Sequence, residues 1–512
     1  MTICALLGVL PLAACGGAHN ATAPDPVSDP PRPTTITVSP FATELSAEGA
    51  TVQLTAEVRD QNARVMTGVT VTWSSSDTSV ATVDQTGLVT AVGAGTAAIT
   101  ASAGSASASA GITVTAAELS DRDILVLLYE ETDGPNWVDS ENWLTDSPLD
   151  EWYGVDTDAL GRVVWLDLAG RLDREAGRFV EHGLSGLIPP QLGDLAHLRE
   201  LNLRANDLTG PIPPELGDLK RLRSLNLGNG RLSGTIPPEL GNLTSLVMLN
   251  LGANDLTGPI PPELARLTGL EQLFLYFNDL TGPIPPELGS LTSLVELYLA
   301  DNDLTGSIPP ELARLTDLEQ LFLYSNDLTG PIPPELGDLK NLRSLNLGSG
   351  RLSGTIPPEL GRLTGLEQLD LDFNDLTGPI PPELASLTRL ERLELDSNDL
   401  TGPIPPELGN LTRLRELQLH HNEFSGPIPL ELGNLTSLRR VFLSNNGLTG
   451  PIPQSFLELD MLTEFQFQEN AGLCAPSTAA FRTWLQSIRN VSGPFCAASS
   501  SRSNRFGPLH SL

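Results

Sequence analysis

Asp370, Asp372, Glu394, Asp396 and His420 are the residues of this 512-residue sequence whose types and spacing invite chemistry. They recur at intervals of 2 and 24, so a chain that folds back on itself every 24 residues stands them side by side. Carboxylates held about 5 Å apart bind a divalent cation or act as an acid/base pair. The same groups also make a solvated acidic patch, part-neutralised by Arg392 and Arg440, that draws in a basic partner. Open strands enclose nothing and desolvate little, which favours the patch over catalysis and over a metal. His420 and His421 are expected to titrate without consequence in that acidic neighbourhood. The sequence holds no HExxH, no GxSxG and no phosphate-cradling glycine loop, so we expect neither an enzyme nor a cofactor.

A second set of candidates lies in LEQLFLYFNDL, from Leu270 to Leu280. Leu273 and Leu275 alternate there with Phe274 and Tyr276, and Phe277 follows. Successive side chains of an extended chain point to opposite faces, so the leucines go in and the rings stay out. Steps of 24 residues bring Tyr298 and Phe322 into line with Phe274, and set Tyr276 and Tyr324 on either side of the small Ala300, leaving a notch. Phe277 and Phe373 stand on the rim. Rings exposed in a row offer a large contact area with little entropy to lose, suited to stacking on sugars or to anchoring a protein. The competing explanation is duplication. ELARLTGLEQLFLY at 263 returns as ELARLTDLEQLFLY at 311, and LRSLNLGNGRLSGTIPPEL at 222 returns almost unchanged at 342, so rings tolerated once were copied.

What positions these residues is a repeat. Leu-x-Leu pairs fall every 24 residues from Leu201/Leu203 to Leu417/Leu419, continue as Val441/Leu443 and end as Phe465/Phe467. An earlier copy, Leu166/Leu168, is set apart by an 11-residue insertion around DREAGRFVEH. One such unit cannot bury its leucines alone, so the units must stack into a solenoid with a parallel sheet of about thirteen strands on its concave side. An asparagine column that includes Asn206, Asn254 and Asn278 should turn inward to satisfy backbone groups, and its interruption by Gly230 and Gly350 predicts local fraying. Pro213, Pro214 and their equivalents should keep the convex side from continuing as a sheet. The unit LxxLxxLxLxxNxLTGPIPPELGxL matches the leucine-rich repeat signature, and its LxGxIPxxL half resembles the plant-type subclass. That subclass includes receptor ectodomains and inhibitors of secreted polysaccharide-degrading enzymes. The resemblance implies a non-enzymatic α/β solenoid that recognises a protein, peptide or glycan on its concave face.

Different material flanks the repeats. Residues 1–15 read as an export signal, and Leu12-Ala13-Ala14-Cys15 resembles the lipobox of bacterial lipoproteins, which implies lipidation of Cys15. No Lys or Arg precedes the apolar run, unlike the lipobox pattern, and an ordinary signal peptide with a chance cysteine is the alternative. Residues 16–33 are a Pro- and Gly-rich linker. Residues 34–116 alternate with period two, as in Val52, Leu54, Ala56 and Val58, and so predict a small all-β sandwich. VTWSSSDTSVATVDQTGLVTAVGAGTAAITA resembles the bacterial Ig-like domain of group 2, found in adhesins and in plain stalks; with no cysteine pair, it must rest on Trp73 and its aliphatic partners.

Residues 117–160 resemble the N-terminal cap of plant-type repeats. Ser120 with Asp123 makes a capping box, Ile124, Leu127 and Leu128 give a helix its apolar stripe, and Trp137, Trp143 and Trp152 supply bulk. DEWYGVDT keeps the Trp, Gly and Val of the cap motif, but Asp150 and Thr157 stand where its cysteines would be. After repeats at 161–470, residues 471–497 resemble the C-terminal cap, with Phe481, Trp484, Leu485 and Ile488 as a stripe and Cys474 and Cys496 left to form a disulfide. Residues 498–512 read as a disordered tail.

Acidic residues outnumber basic ones by 63 to 30, and the net charge of −33 repels a phosphate backbone, which excludes nucleic acid as a natural partner. No stretch after the signal reaches the roughly 18 uninterrupted apolar residues of a membrane span. The expectation is a monomeric protein of the bacterial cell envelope, held to the membrane only by a lipid, that binds an extracellular protein, peptide or glycan. A surface spacer without a ligand is the alternative.

Overall fold

A computed structural model of the chain describes residues 29–46, 48–115, 119–173, 178–180 and 182–497, with no account of side chains at 171–173 and 178–180. Cys15, most of the linker and the tail lie outside the described residues. The chain divides into two compact units, Met1–Glu118 and Leu119–Leu512.

The first unit is all β. Thr72–Ser75, Gly95–Ala103 and Ala106–Val114 pair antiparallel, and Ala42–Leu45 adds a parallel strand to the last of them. Thr51–Gln53, Leu88–Ala91 and Ala81–Val83 form a second sheet, and Pro33–Ser39 pairs with Thr55–Asp60. Trp73 is buried among Leu54, Val58, Val89, Ile99 and Ile112, the aliphatic support that the absence of cysteines requires. Gly87 turns at φ +84° where a Cβ would lie 2.6 Å from Leu54 O and 2.9 Å from the Trp73 ring. Only glycine lets that turn close over the tryptophan.

The second unit begins with helix α1, Asp121–Glu131, whose start is the expected capping box between Ser120 and Asp123. Its buried face is Ile124, Leu125 and Leu128: two of the three expected stripe residues are buried, and Leu125 takes the place of the half-exposed Leu127. Trp137, Trp143 and Trp152 are all buried, with Trp143 centred 4.8 Å from Trp137 and 5.0 Å from Trp152. Ring packing therefore closes the cap without a disulfide.

The concave sheet has fifteen strands: thirteen from the repeats, plus one contributed by each end. Val155–Thr157 pairs antiparallel to Val163–Asp167, and Asn490–Ser492 adds in parallel to Glu464–Gln466. Between them every Leu-x-Leu strand pairs parallel and in register, so each repeat's first leucine faces the next. A second parallel sheet, of thirteen strands, runs beside it from Ser185–Leu187 to Asn470–Cys474. Proline spacing had argued against it, but the prolines end these strands rather than prevent them. In Asp207–Pro211 the glycine turns at positive φ, and Pro213-Pro214 then lead into the 3-10 turn Pro214–Asp218 on the convex side. Among the described residues, the α-helices are α1 and α2, Ala479–Ser487.

The asparagines do turn inward. Asn278 Nδ2 donates to Leu251 O and Leu275 O, both at 3.1 Å, and its Oδ1 accepts from Leu256 N at 3.0 Å. The fraying expected at Gly230 and Gly350 does not occur. Gly230 N donates to Ala253 O at 3.0 Å, Gly350 N to Phe373 O at 2.9 Å, and the strands around Gly230 stay paired on both sides. The two glycines keep the backbone bond to the next turn that the column's asparagines also make, as Asn254 N does to Phe277 O at 3.1 Å. The insertion folds as an antiparallel pair, Arg171–Asp173 with Arg178–Val180. At the far end Phe481, Trp484, Leu485 and Ile488 are buried, with Trp484 against Phe456 and Phe465, and Cys474 is bonded to Cys496.

Candidate ligand-binding face

Register brings the aromatic candidates together. Phe274 pairs with Tyr298 and Tyr298 with Phe322, on the adjacent strands Gln272–Phe274, Glu296–Tyr298 and Gln320–Phe322. Their ring centroids are 4.8 Å and 4.6 Å apart, the second pair stacked. The sequence placed these rings in water; they are half-buried, because each covers part of the next. Tyr276, Phe277, Tyr298, Phe322 and Tyr324 surround a cavity of about 250 Å³ floored by the buried Ala300, the expected notch.

Two neighbours shape this slot. A Cβ on Gly252 would lie 2.7 Å from the Tyr276 ring, so the missing side chain is where that ring rests. Tyr298 Oη donates to Gln320 Oε1 at 2.6 Å, which fixes the ring's tilt. Burial, with the Glu296 carboxylate nearby, raises the Tyr298 phenol above its ordinary range, and burial with Asp301 does the same for Tyr324. No charged side chain lines the slot itself.

On the rim, Phe277 and Phe373 are 55% and 57% exposed. Both sit in left-handed backbone, at φ 51° and 46°. The equivalent residue of each of the twelve repeats from Leu201 onward does too, including Ala253, Asp301 and Ser325, so the strain belongs to the scaffold and is harshest for a bulky ring.

Starting two strands beyond Phe322, Asp370, Asp372 and Glu394 bring carboxylate oxygens within 4.8 Å of one another. Burial first, and the Asp372 charge second, push the Asp370 carboxyl up to about 8. Burial and Asp396 raise Asp372, and burial and Glu416 raise Glu394. A Cβ on Gly348 would come within 2.1 Å of Asp372 Oδ1, so here again a glycine is the seat of a neighbour. The trio supplies the carboxyl oxygens that an ammonium, a guanidinium or a metal cation would need, and a cation bound there would displace the proton that Asp370 otherwise holds.

Asp396 does not join the trio. It is buried, at 3% exposure, and faces His420 Nε2 at 3.4 Å. Burial lowers the His420 pKa against the pull of Asp396. Arg392 and Arg440 do not serve chiefly to neutralise the trio either; they converge on Glu416, at 3.9 Å and 2.5 Å. That buried carboxylate was missed, although its signal was present. It lies two residues before Gln418, in a third concave column that the leucine spacing also defines.

Asp370, Glu394 and Arg392 share a cavity of about 120 Å³ with Phe322 and Tyr324. The aromatic slot and the acidic cavity therefore have a common wall.

The Bacterial Ig-like domain (group 2) family matches residues 33–114. The Leucine Rich Repeat family matches six successive windows from 197–219 to 317–339, and the Leucine-rich repeat region family matches 332–489. Over 111 residues the chain is 36% identical to a probable leucine-rich repeat receptor-like serine/threonine-protein kinase of Arabidopsis thaliana, covering 19% of this chain and 20% of that one. A second curated relative is covered over 8% of its length, so the chain spans a fifth or less of these proteins. Among solved structures, a leucine-rich repeat protein of Leptospira interrogans is 33% identical at TM-score 0.51, over 59% of this chain and 74% of that one. The ectodomain of the Arabidopsis receptor kinase HAESA, in complex with an extended IDA peptide hormone, is 30% identical at TM-score 0.52, over 73% and 77%. The chain belongs to the leucine-rich repeat proteins, with a group 2 bacterial Ig-like domain ahead of its solenoid.

Proposed function

We propose that this is an exported, non-enzymatic recognition protein that binds an extracellular protein or peptide on the concave face of its solenoid. The observation that supports this most is the set of registered rings of Phe274, Tyr298 and Phe322 beside a slot floored by Ala300, all on a rigid parallel sheet. Such a surface gives contact area at little entropic cost. HAESA, of similar fold, holds a peptide hormone. Tyr276, Phe277 and Tyr324 line the slot, and later turns of the same face carry Phe373, the acidic residues Asp370, Asp372, Glu394 and Asp396, and His420 as further contact candidates. On this reading Cys15 carries the lipid that tethers a monomer to a bacterial envelope, residues 16–33 are the spacer, and the Ig-like domain is a stalk. No helix among the described residues is long and apolar enough to cross a membrane.

The test is an array of extracellular proteins, peptides and glycans probed with the full chain and with a Phe274→Ala/Tyr298→Ala/Phe322→Ala variant. Recognition through this face predicts at least a tenfold loss of the bound signal, as for interface anchors of about 2 kcal/mol or more. A passive spacer would bind, or fail to bind, identically in both forms.

A further inference from the structure

We infer that the aromatic slot takes an apolar side chain of an extended peptide whose basic side chain, about four residues along, enters the adjoining carboxylate cavity. The inference rests on the peptide-binding reading of this face and adds the chemistry of the partner.

Continuity comes first. Phe322 and Tyr324 line both cavities, so one strand of ligand can pass from slot to carboxylates without leaving the surface. Spacing comes next. Ala300 marks the floor of the slot, and Asp370 lies on the third strand beyond, by way of the pairs Tyr298↔Phe322, Phe322↔Asn346 and Asn346↔Asp370. Three steps of roughly 4.8 Å make about 14 Å, and four residues of extended chain rise about 13 Å. A separation of four also points both side chains to the same face, as docking on a sheet requires.

Shape selects a side chain over a sugar. A pyranose stacks on an open ring face, but Phe274, Tyr298 and Phe322 cover one another at 4.6–4.8 Å. What is left open is a narrow slot between the walls of Tyr276 and Tyr324, neutral and closed below by Ala300. Charge selects a cation for the second position. Asp370 and Glu394 line it, with an Asp372 carboxylate oxygen within 4.8 Å of theirs, against Arg392 alone, and Arg392 is partly drawn off to Glu416. At about 120 Å³ the cavity has room for a few water-sized groups of about 30 Å³ each, enough for an ammonium and its last methylenes.

The experiment titrates the full chain with end-capped, labelled Phe-Gly-Ser-Gly-Lys and its reverse, Lys-Gly-Ser-Gly-Phe. One orientation should bind, and replacing its Lys by norleucine, or moving it one residue closer to Phe, should weaken it at least tenfold. An Asp370→Asn/Glu394→Gln variant should lose the preference for Lys and keep its affinity for the norleucine peptide. Equal affinity for the Lys and norleucine peptides overturns the inference and leaves the aromatic face intact as a binding surface. Undiminished binding to the Phe274→Ala/Tyr298→Ala/Phe322→Ala variant overturns that underlying reading as well. Binding of neither pentapeptide at millimolar concentration, or preferential binding of a xylo- or cello-oligosaccharide, overturns the choice of occupant.

Discussion

Gly348 and Asp372 occupy one space between them: a Cβ on the glycine would lie 2.1 Å from the aspartate's Oδ1. The carboxylate thus reaches Asp370 by lying back over a neighbour with no side chain. Gly348→Ala should push Asp372 off that seat and cost about 1 kcal/mol, since the displaced group is the tip of a side chain rather than backbone. Gly269→Ala, where the nearest atom is 3.8 Å away, is the matched control and should be nearly neutral. Urea midpoints of the two variants decide it, and equal midpoints would contradict the crowding.

The shared burial of Asp370, Asp372 and Glu394 makes stability depend on pH. Asp370 holds its proton up to about 8 in the folded chain against 3.8 as the ordinary value, so the folded state binds more protons between those limits. Stability from this group is fully present below about pH 4 and is lost as pH rises toward 8. Asp370→Asn removes the ionisable group. Its unfolding temperature relative to the parent should climb from pH 5 to pH 8 and then level off. A difference that stays flat over that range would mean an ordinary carboxyl.

Phe277 combines a left-handed backbone with 55% exposure, a poor position for a ring on stability grounds. Phe277→Asn should stabilise the chain by about 1 kcal/mol, since asparagine tolerates this conformation. The same change should weaken whatever docks on the concave rim. Thermal melts and ligand titration moving in opposite directions would bear this out, whereas a destabilised variant would show that the ring packs against the scaffold.

Asn302 stitches two turns: Nδ2 donates to Leu275 O at 3.0 Å and to Leu299 O at 3.1 Å, while Oδ1 accepts from Leu280 N at 3.1 Å. Asn302→Ala orphans Leu280 N, while Leu275 O and Leu299 O keep Asn278 and Asn326 as donors, and should cost about 1–3 kcal/mol. Hydrogen exchange should quicken at Leu280 ahead of distant strands. Exchange that quickens uniformly along the solenoid would instead indicate a purely global loss.

Much of this molecule could be read from local rules. Leucines at a period of 24 with alternating neighbours determined the stacked turns, the columns of the concave face, and the meeting of Phe274 with Tyr298 and of Tyr276 with Tyr324 across Ala300. Alternation and register belong to the backbone, so they follow once the period is known. Tertiary structure alone decided the rest. It withdrew Asp396 to His420, gave Arg392 and Arg440 to Glu416, seated Tyr276 and Asp372 over glycines of the preceding repeat, and ran a second sheet through the segments that end in proline. Which carboxylate keeps its proton and which finds a counter-charge depends on rotamers and desolvation summed over three or four turns of chain. No single repeat carries that sum in its own residues.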